Sequence, residues 1–106
     1  MSAAARALDA LGDATRRSIF EKLGKGPMAV ADIASGMEVS RPAVSQHLKV
    51  LREAKLIYMD KEGTRSVCRI NNEGINAIHS YLDKSWDRAL LAFKLAAEMG
   101  ARKQKK

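Results

Sequence analysis

The sequence predicts a mainly α-helical domain with one small β-hairpin. Two observations carry that prediction. Apolar residues recur at spacings of three and four along most of the chain, in stretches separated by Gly, Pro and capping residues, and near residue 57 the period changes to strict alternation.

Ala4, Leu8 and Leu11 share a helical register that Gly12 interrupts, so a first helix stops there. Asp13 is the expected N-cap of a second helix that runs to about Gly24 with Ile19, Phe20 and Leu23 inward, and Gly26 and Pro27 forbid continuation. A third, short helix presents Val30, Ile33 and Ala34 and ends at Gly36. Ser40 caps a fourth helix, 40–54, with Pro42 in its first turn, where a missing amide hydrogen is no loss. Val44, Leu48 and Leu51 form its apolar stripe, while Arg41, Ser45, Gln46 and Lys49 fall on a different face.

From residue 56 to 70 the pattern is that of a hairpin. Ile57 and Met59 alternate with Tyr58 and Asp60, Glu62-Gly63 supplies the turn, and Lys61 and Arg65 lie at the tip. Asn72 is the expected cap of a long last helix in which Ile75, Ile78, Leu82, Trp86, Ala89 and Phe93 recur at three and four. So small a body cannot cover that whole stripe, which points to a partner chain. Residues 1–100 are expected to make one domain and 101–106 a basic, disordered tail.

The 106 residues are too few for a catalytic domain plus a regulatory one, and 46% hydrophobic with 29% charged residues is ordinary for a soluble globular chain. A net charge of +7 suits a polyanionic partner. The excess is localised: 1–39 is neutral, 40–71 carries seven basic against three acidic residues, and 72–106 carries seven against four. The single cysteine, Cys68, excludes an internal disulfide and any Cys-pair metal site within one chain, and fits a reducing compartment. Met1 to Arg6 lacks the apolar core of a signal peptide and the longest strongly apolar stretch, Ala89 to Phe93, is too short for a bilayer, so the expected location is the cytoplasm, with no membrane partner.

A short helix, a turn, a capped helix and a basic hairpin, in that order, describe a winged helix-turn-helix. Phosphates call for basic side chains at the periphery, here Lys49, Arg52, Lys61 and Arg65. Base edges are read by polar groups near a helix N-terminus, where Arg41, Ser45 and Gln46 stand after Ser40. Arg can pair with guanine and Gln with adenine through two hydrogen bonds each, which makes sequence-specific binding to double-stranded DNA chemically available.

The runs Asp13-Ala14-Thr15-Arg16-Arg17 and Val44-Ser45-Gln46-His47-Leu48-Lys49-Val50-Leu51-Arg52-Glu53-Ala54 resemble the ArsR/SmtB family of bacterial repressors over nearly the whole chain. The resemblance implies a homodimer made by the first and last helices, with Leu8, Leu11, Ile78, Leu82, Trp86, Ala89 and Phe93 in the interface. It also implies that Arg41, Pro42, Ser45 and Gln46 face the major groove, with the hairpin as wing. Where the family has Ala-Gly-Leu after the recognition helix this chain has Ala54-Lys55-Leu56, so Lys55 is expected in a left-handed conformation.

Many members of that family release DNA on binding a metal through a Cys-x-Cys pair on the third helix. The matching stretch here, Ala29-Val30-Ala31-Asp32, has no thiolates. His79, Asp83 and Asp87 form a row at successive fours on the last helix but lack the family's Asp-x-His pair, so no metal or cofactor is expected. His47 is expected to be packed and hydrogen-bonded, Cys68 to be a small strand residue, and Trp86 with Phe93 to serve core or interface. No nucleophile and base stand at a recognisable motif spacing and there is no glycine-rich phosphate loop, which excludes an enzyme. Two alternatives stay open beside a repressor with an unidentified small-molecule inducer: a winged-helix module that binds protein or any nucleic acid, and a repressor switched by oxidation of Cys68.

Overall fold

Among the described residues, side chains cap the starts of four of the five helices. The computed structural model describes residues 2–104, with side chains as far as residue 100. Helix α1 (Ala3–Leu11) begins with the Ser2 hydroxyl accepting from the Ala5 amide. Helix α2 (Ala14–Leu23) begins with Asp13 accepting from the Arg16 amide at 2.9 Å. The guanidiniums of Arg16 and Arg17 reach back to the Ala10 and Leu11 carbonyls at 2.7 and 2.9 Å. Asp13-Ala14-Thr15-Arg16-Arg17 is therefore a corner piece that caps one helix and satisfies the last carbonyls of the one before. That amide, with Arg16's charge and His47 (Nδ1 at 3.9 Å) adding to it, holds the Asp13 carboxyl below its ordinary 3.8. The stabilisation it gives is present above that value and is lost as pH falls below it.

Helix α3 (Val30–Ser35) and helix α4 (Arg41–Glu53) follow, the latter capped by Ser40, whose hydroxyl accepts from the Ala43 amide at 3.2 Å. The last helix, α5 (Asn72–Gln104), is capped one residue earlier than the sequence suggests: Asn71, not Asn72, accepts from the Glu73 amide at 3.0 Å. Adjacent asparagines make either position plausible, and strand pairing up to Ile70 decides between them.

Three antiparallel strands, β1 (Met28–Ala29), β2 (Ile57–Glu62) and β3 (Arg65–Ile70), form a sheet in the order β1-β3-β2. Strands β2 (Ile57–Glu62) and β3 (Arg65–Ile70) make the hairpin, with Glu62 opposite Arg65. The two-residue turn is Gly63-Thr64, one residue later than expected, because Gly63 (φ 64°) supplies the positive φ at its first position. Strand β1 (Met28–Ala29) is an addition to the sequence reading; it pairs Met28 with Cys68 and Ala29 with Val67.

Ile19, Leu23, Ile33, Val44, Leu48, Leu51, Leu56, Ile57 and Cys68 are buried in one core. On α1 the buried residues are Ala4, Ala7 and Ala10, which leaves Leu8 42% exposed. The same helix lies along α5. Ile75 and Ile78 pack against the core, after which α5 leaves the body of a molecule whose long axis is 75 Å. A helix of 33 residues is about 50 Å long, and along its projecting part Trp86 is 65% and Phe93 74% exposed. The backbone of 101–104 continues α5 where the sequence suggests a tail, and Lys105 and Lys106 lie outside the described residues. Among the described residues no helix is long and apolar enough to cross a membrane.

The joint after α4 places the wing and α5 together. Lys55 sits at φ 62°, the left-handed position expected of it, and Leu56 turns into the core. The Lys55 carbonyl accepts from the Gly74 amide at 2.8 Å, and a Cβ on Gly74 would stand 2.7 Å from that oxygen and 2.8 Å from the Ala54 oxygen. Two substitutions should therefore act in opposite directions in urea unfolding. Gly74→Ala should lower stability by about 1–3 kcal/mol through backbone overlap, and Lys55→Gly should raise it by about 1 kcal/mol through relief of the positive φ.

Candidate nucleic-acid interface

Because Val44, Leu48 and Leu51 are buried, the opposite side of α4 must face solvent, and Arg41, Pro42, Ser45, Gln46, Lys49 and Arg52 are all exposed there. Arg41, Ser45, Lys49 and Arg52 follow one edge of the helix, and Pro42 and Gln46 occupy the adjacent strip near its N-terminus. Ser40 stands just before them, its hydroxyl oxygen engaged as the cap.

A groove of about 380 Å³ separates that edge from the hairpin. Arg41, Ser45, Lys49 and Arg52 of α4 line it, together with Ala29, Val30 and Ala31 and with Thr64 of the turn and Arg65 and Ser66 of β3. Four of the residues expected to touch DNA thus meet Arg65 across one basic groove. Lys61, opposite Ser66 on the outer part of the hairpin, is exposed and is not among the residues that line it. The hydroxyls of Thr64 and Ser66 are further donors that the sequence pattern did not single out; their place beside the turn is the signal that could have found them.

The arginines of the wing are not all unpartnered. Arg65 Nη2 lies 2.7 Å from Asp32 Oδ2 on α3, with both side chains exposed. Arg69, half-buried, is bound to Asp60 at 3.1 Å and to Glu62. Strand parity puts Asp60, Glu62 and Arg69 on one face of the hairpin, so the second pairing is legible in the alternation, whereas Asp32 is 33 residues from Arg65.

The residues expected at a subunit interface divide in two. Leu11 and Ile78 are partly buried against this chain's own core. Leu8, Leu82, Trp86, Ala89 and Phe93 are exposed. Among the described residues no three His, Cys, Asp or Glu side chains gather closely enough to share a metal ion, the row of His79, Asp83 and Asp87 included.

A family model described as a helix-turn-helix domain matches residues 11–59. The HTH-type transcriptional regulator Rv2034 of Mycobacterium tuberculosis is 49% identical over 88 residues, 83% of this chain and 82% of that one. The transcriptional repressor SdpR of Bacillus subtilis is 32% identical, with 71% of this chain and 88% of that protein covered. Among solved structures, an ArsR-like transcriptional regulator from Rhodococcus sp. RHA1 superposes with a TM-score of 0.75 at 31% identity, over 90% of this chain and 92% of that one. The homodimeric winged helix-turn-helix DNA-binding domain of Mb0332 from Mycobacterium bovis superposes with a TM-score of 0.65 at 28% identity, over 80% and 79%.

Cys68 lies beneath this surface rather than on it. It is fully buried on β3, and burial pushes its thiol above the ordinary 9.0 against a weaker opposing pull from Arg52. A redox switch needs an accessible, acidified thiol, and this environment supplies the reverse on both counts. At one pH, Ellman's reagent should label Cys68 at least about a hundredfold more slowly in the native protein than in urea, because reaction waits on opening of the core. Prompt labelling of the native protein would contradict the burial.

Proposed function

The chain belongs to the ArsR/SmtB family of winged helix-turn-helix transcriptional regulators, and from that premise we propose that it represses transcription as a homodimer seated on an inverted-repeat operator. The observation that carries the proposal is the exposed polar strip of α4 meeting a basic groove beside the wing.

In this reading α4 enters the major groove N-terminus first. Arg41, Pro42, Ser45 and Gln46 turn to base edges, with Arg41 suited to guanine and Gln46 to adenine, while Ser40 fixes the start of the helix. Lys49, Arg52, Lys61 and Arg65 meet phosphates, and the hairpin lies along the backbone or in the minor groove. Two copies join through α1 and α5, using Leu8, Leu11, Ile78, Leu82, Trp86, Ala89 and Phe93; the homodimeric state given for Mb0332 supports this. The exposed large apolar side chains along α5 support it independently, since an extended apolar surface marks an interface. Residues 1–100 act as one domain, working on DNA in the cytoplasm. A dimer on two half-sites represses by occluding the polymerase. A metal held by thiolates at 29–32 is not the inducer in this reading, since Ala29-Val30-Ala31-Asp32 has no cysteine.

Substitutions on the two parts of the interface should separate their roles. Ser45→Ala or Gln46→Ala should weaken binding to the operator by about 1–3 kcal/mol and binding to random duplex much less. Lys61→Ala should weaken both alike and reduce the salt slope by about one. Equal losses on operator and random DNA for all three would favour a module that grips any nucleic acid.

A further inference from the structure

Arg65 differs from the other cations around the groove. Among the described residues Arg41, Lys49, Arg52 and Lys61 have no ion pair, whereas the guanidinium of Arg65 is held at 2.7 Å by a carboxylate from another element. The hairpin does not supply that partner, because Asp60 and Glu62 are engaged with Arg69. Both side chains of the Arg65–Asp32 pair are exposed, at 61% and 59%, so the contact adds little to folding and its atoms remain open to exchange. A carboxylate and a phosphate use the same guanidinium donors in the same way.

We propose that Asp32 is an internal stand-in for a DNA phosphate, holding Arg65 back and so setting how tightly the protein grips DNA of any sequence. The proposal rests on the DNA-binding reading above and adds an autoinhibitory contact to that same site. When a phosphate takes Arg65, Asp32 is left bare beside the polyanion, so the exchange is opposed twice: by the pair that breaks and by the charge it uncovers. The recognition strip on α4 is untouched by this, and the effect is therefore independent of base sequence.

The test measures affinity for the operator and for random duplex at one physiological salt concentration. The proteins are the wild type, Asp32→Asn, Arg65→Ala and the double variant, with Glu98→Gln on α5 as a control of equal charge change away from the groove. Asp32→Asn should tighten binding to both DNAs by about two- to fivefold, Glu98→Gln should not, and the gain should shrink once Arg65 is alanine, to what the bare Asp32 charge alone contributes. Unchanged or weaker binding by Asp32→Asn would overturn the proposal, and so would a gain that is undiminished when Arg65 is alanine or is matched by Glu98→Gln. If the wild type binds neither DNA, it is the DNA-binding reading that fails, and the autoinhibitory contact falls with it.

Discussion

Burial of Val44, Leu48 and Leu51 is the constraint on which the rest of the molecule depends. At 3.6 residues per turn, a stripe committed to the core leaves Arg41, Ser45, Gln46 and Lys49 no direction but outward. The two ends of α4 lock that rotation. Ser40 fixes where the helix starts, and the left-handed Lys55 ends it so that Leu56 drops into the same core. The wing shares the core through Ile57 and Cys68, so helix and hairpin are held at a fixed spacing and the groove between them is preformed.

What could be read from sequence was what local chemistry determines. A cap, a proline in the first turn and an apolar stripe specify α4 within a dozen residues, whereas the positive φ of Lys55 was foretold only by the resemblance to a family that has glycine at that joint. The features that escaped depend on distant partners. Strand β1, two residues long, has no periodicity and exists only because Cys68 and Val67 offer it a ladder. On α1 the buried positions include Ala7 and Ala10, which did not stand out in the sequence because alanine suits either face of a helix. The polar strip of the candidate interface was legible for the same reason as α4 itself. The pairing of Arg65 with Asp32 was not, since nothing in the spacing of two residues so far apart announces a contact.

That pairing changes how the charge of the chain should be counted. The surplus in 40–71 suggests a uniformly basic surface, but carboxylates from α3 and β2 engage the two wing arginines while the cations of α4 remain unpaired among the described residues. The unpaired positive charge is thus concentrated on α4, the helix proposed to read bases. The exposed stripe of α5 is the second departure from an ordinary small domain. In the proposed dimer a partner laid against it would also fix the distance between two copies of α4, and with it the spacing of the half-sites.

The most direct measurement is selection of bound sequences from a random duplex pool by the purified protein at physiological salt, with the mass of the complex determined alongside. The account predicts an inverted repeat, half-sites about 10 base pairs apart centre to centre or a multiple of that, bound by two chains. A pool that emerges unenriched, or a site without two-fold symmetry bound by a single chain, would contradict it.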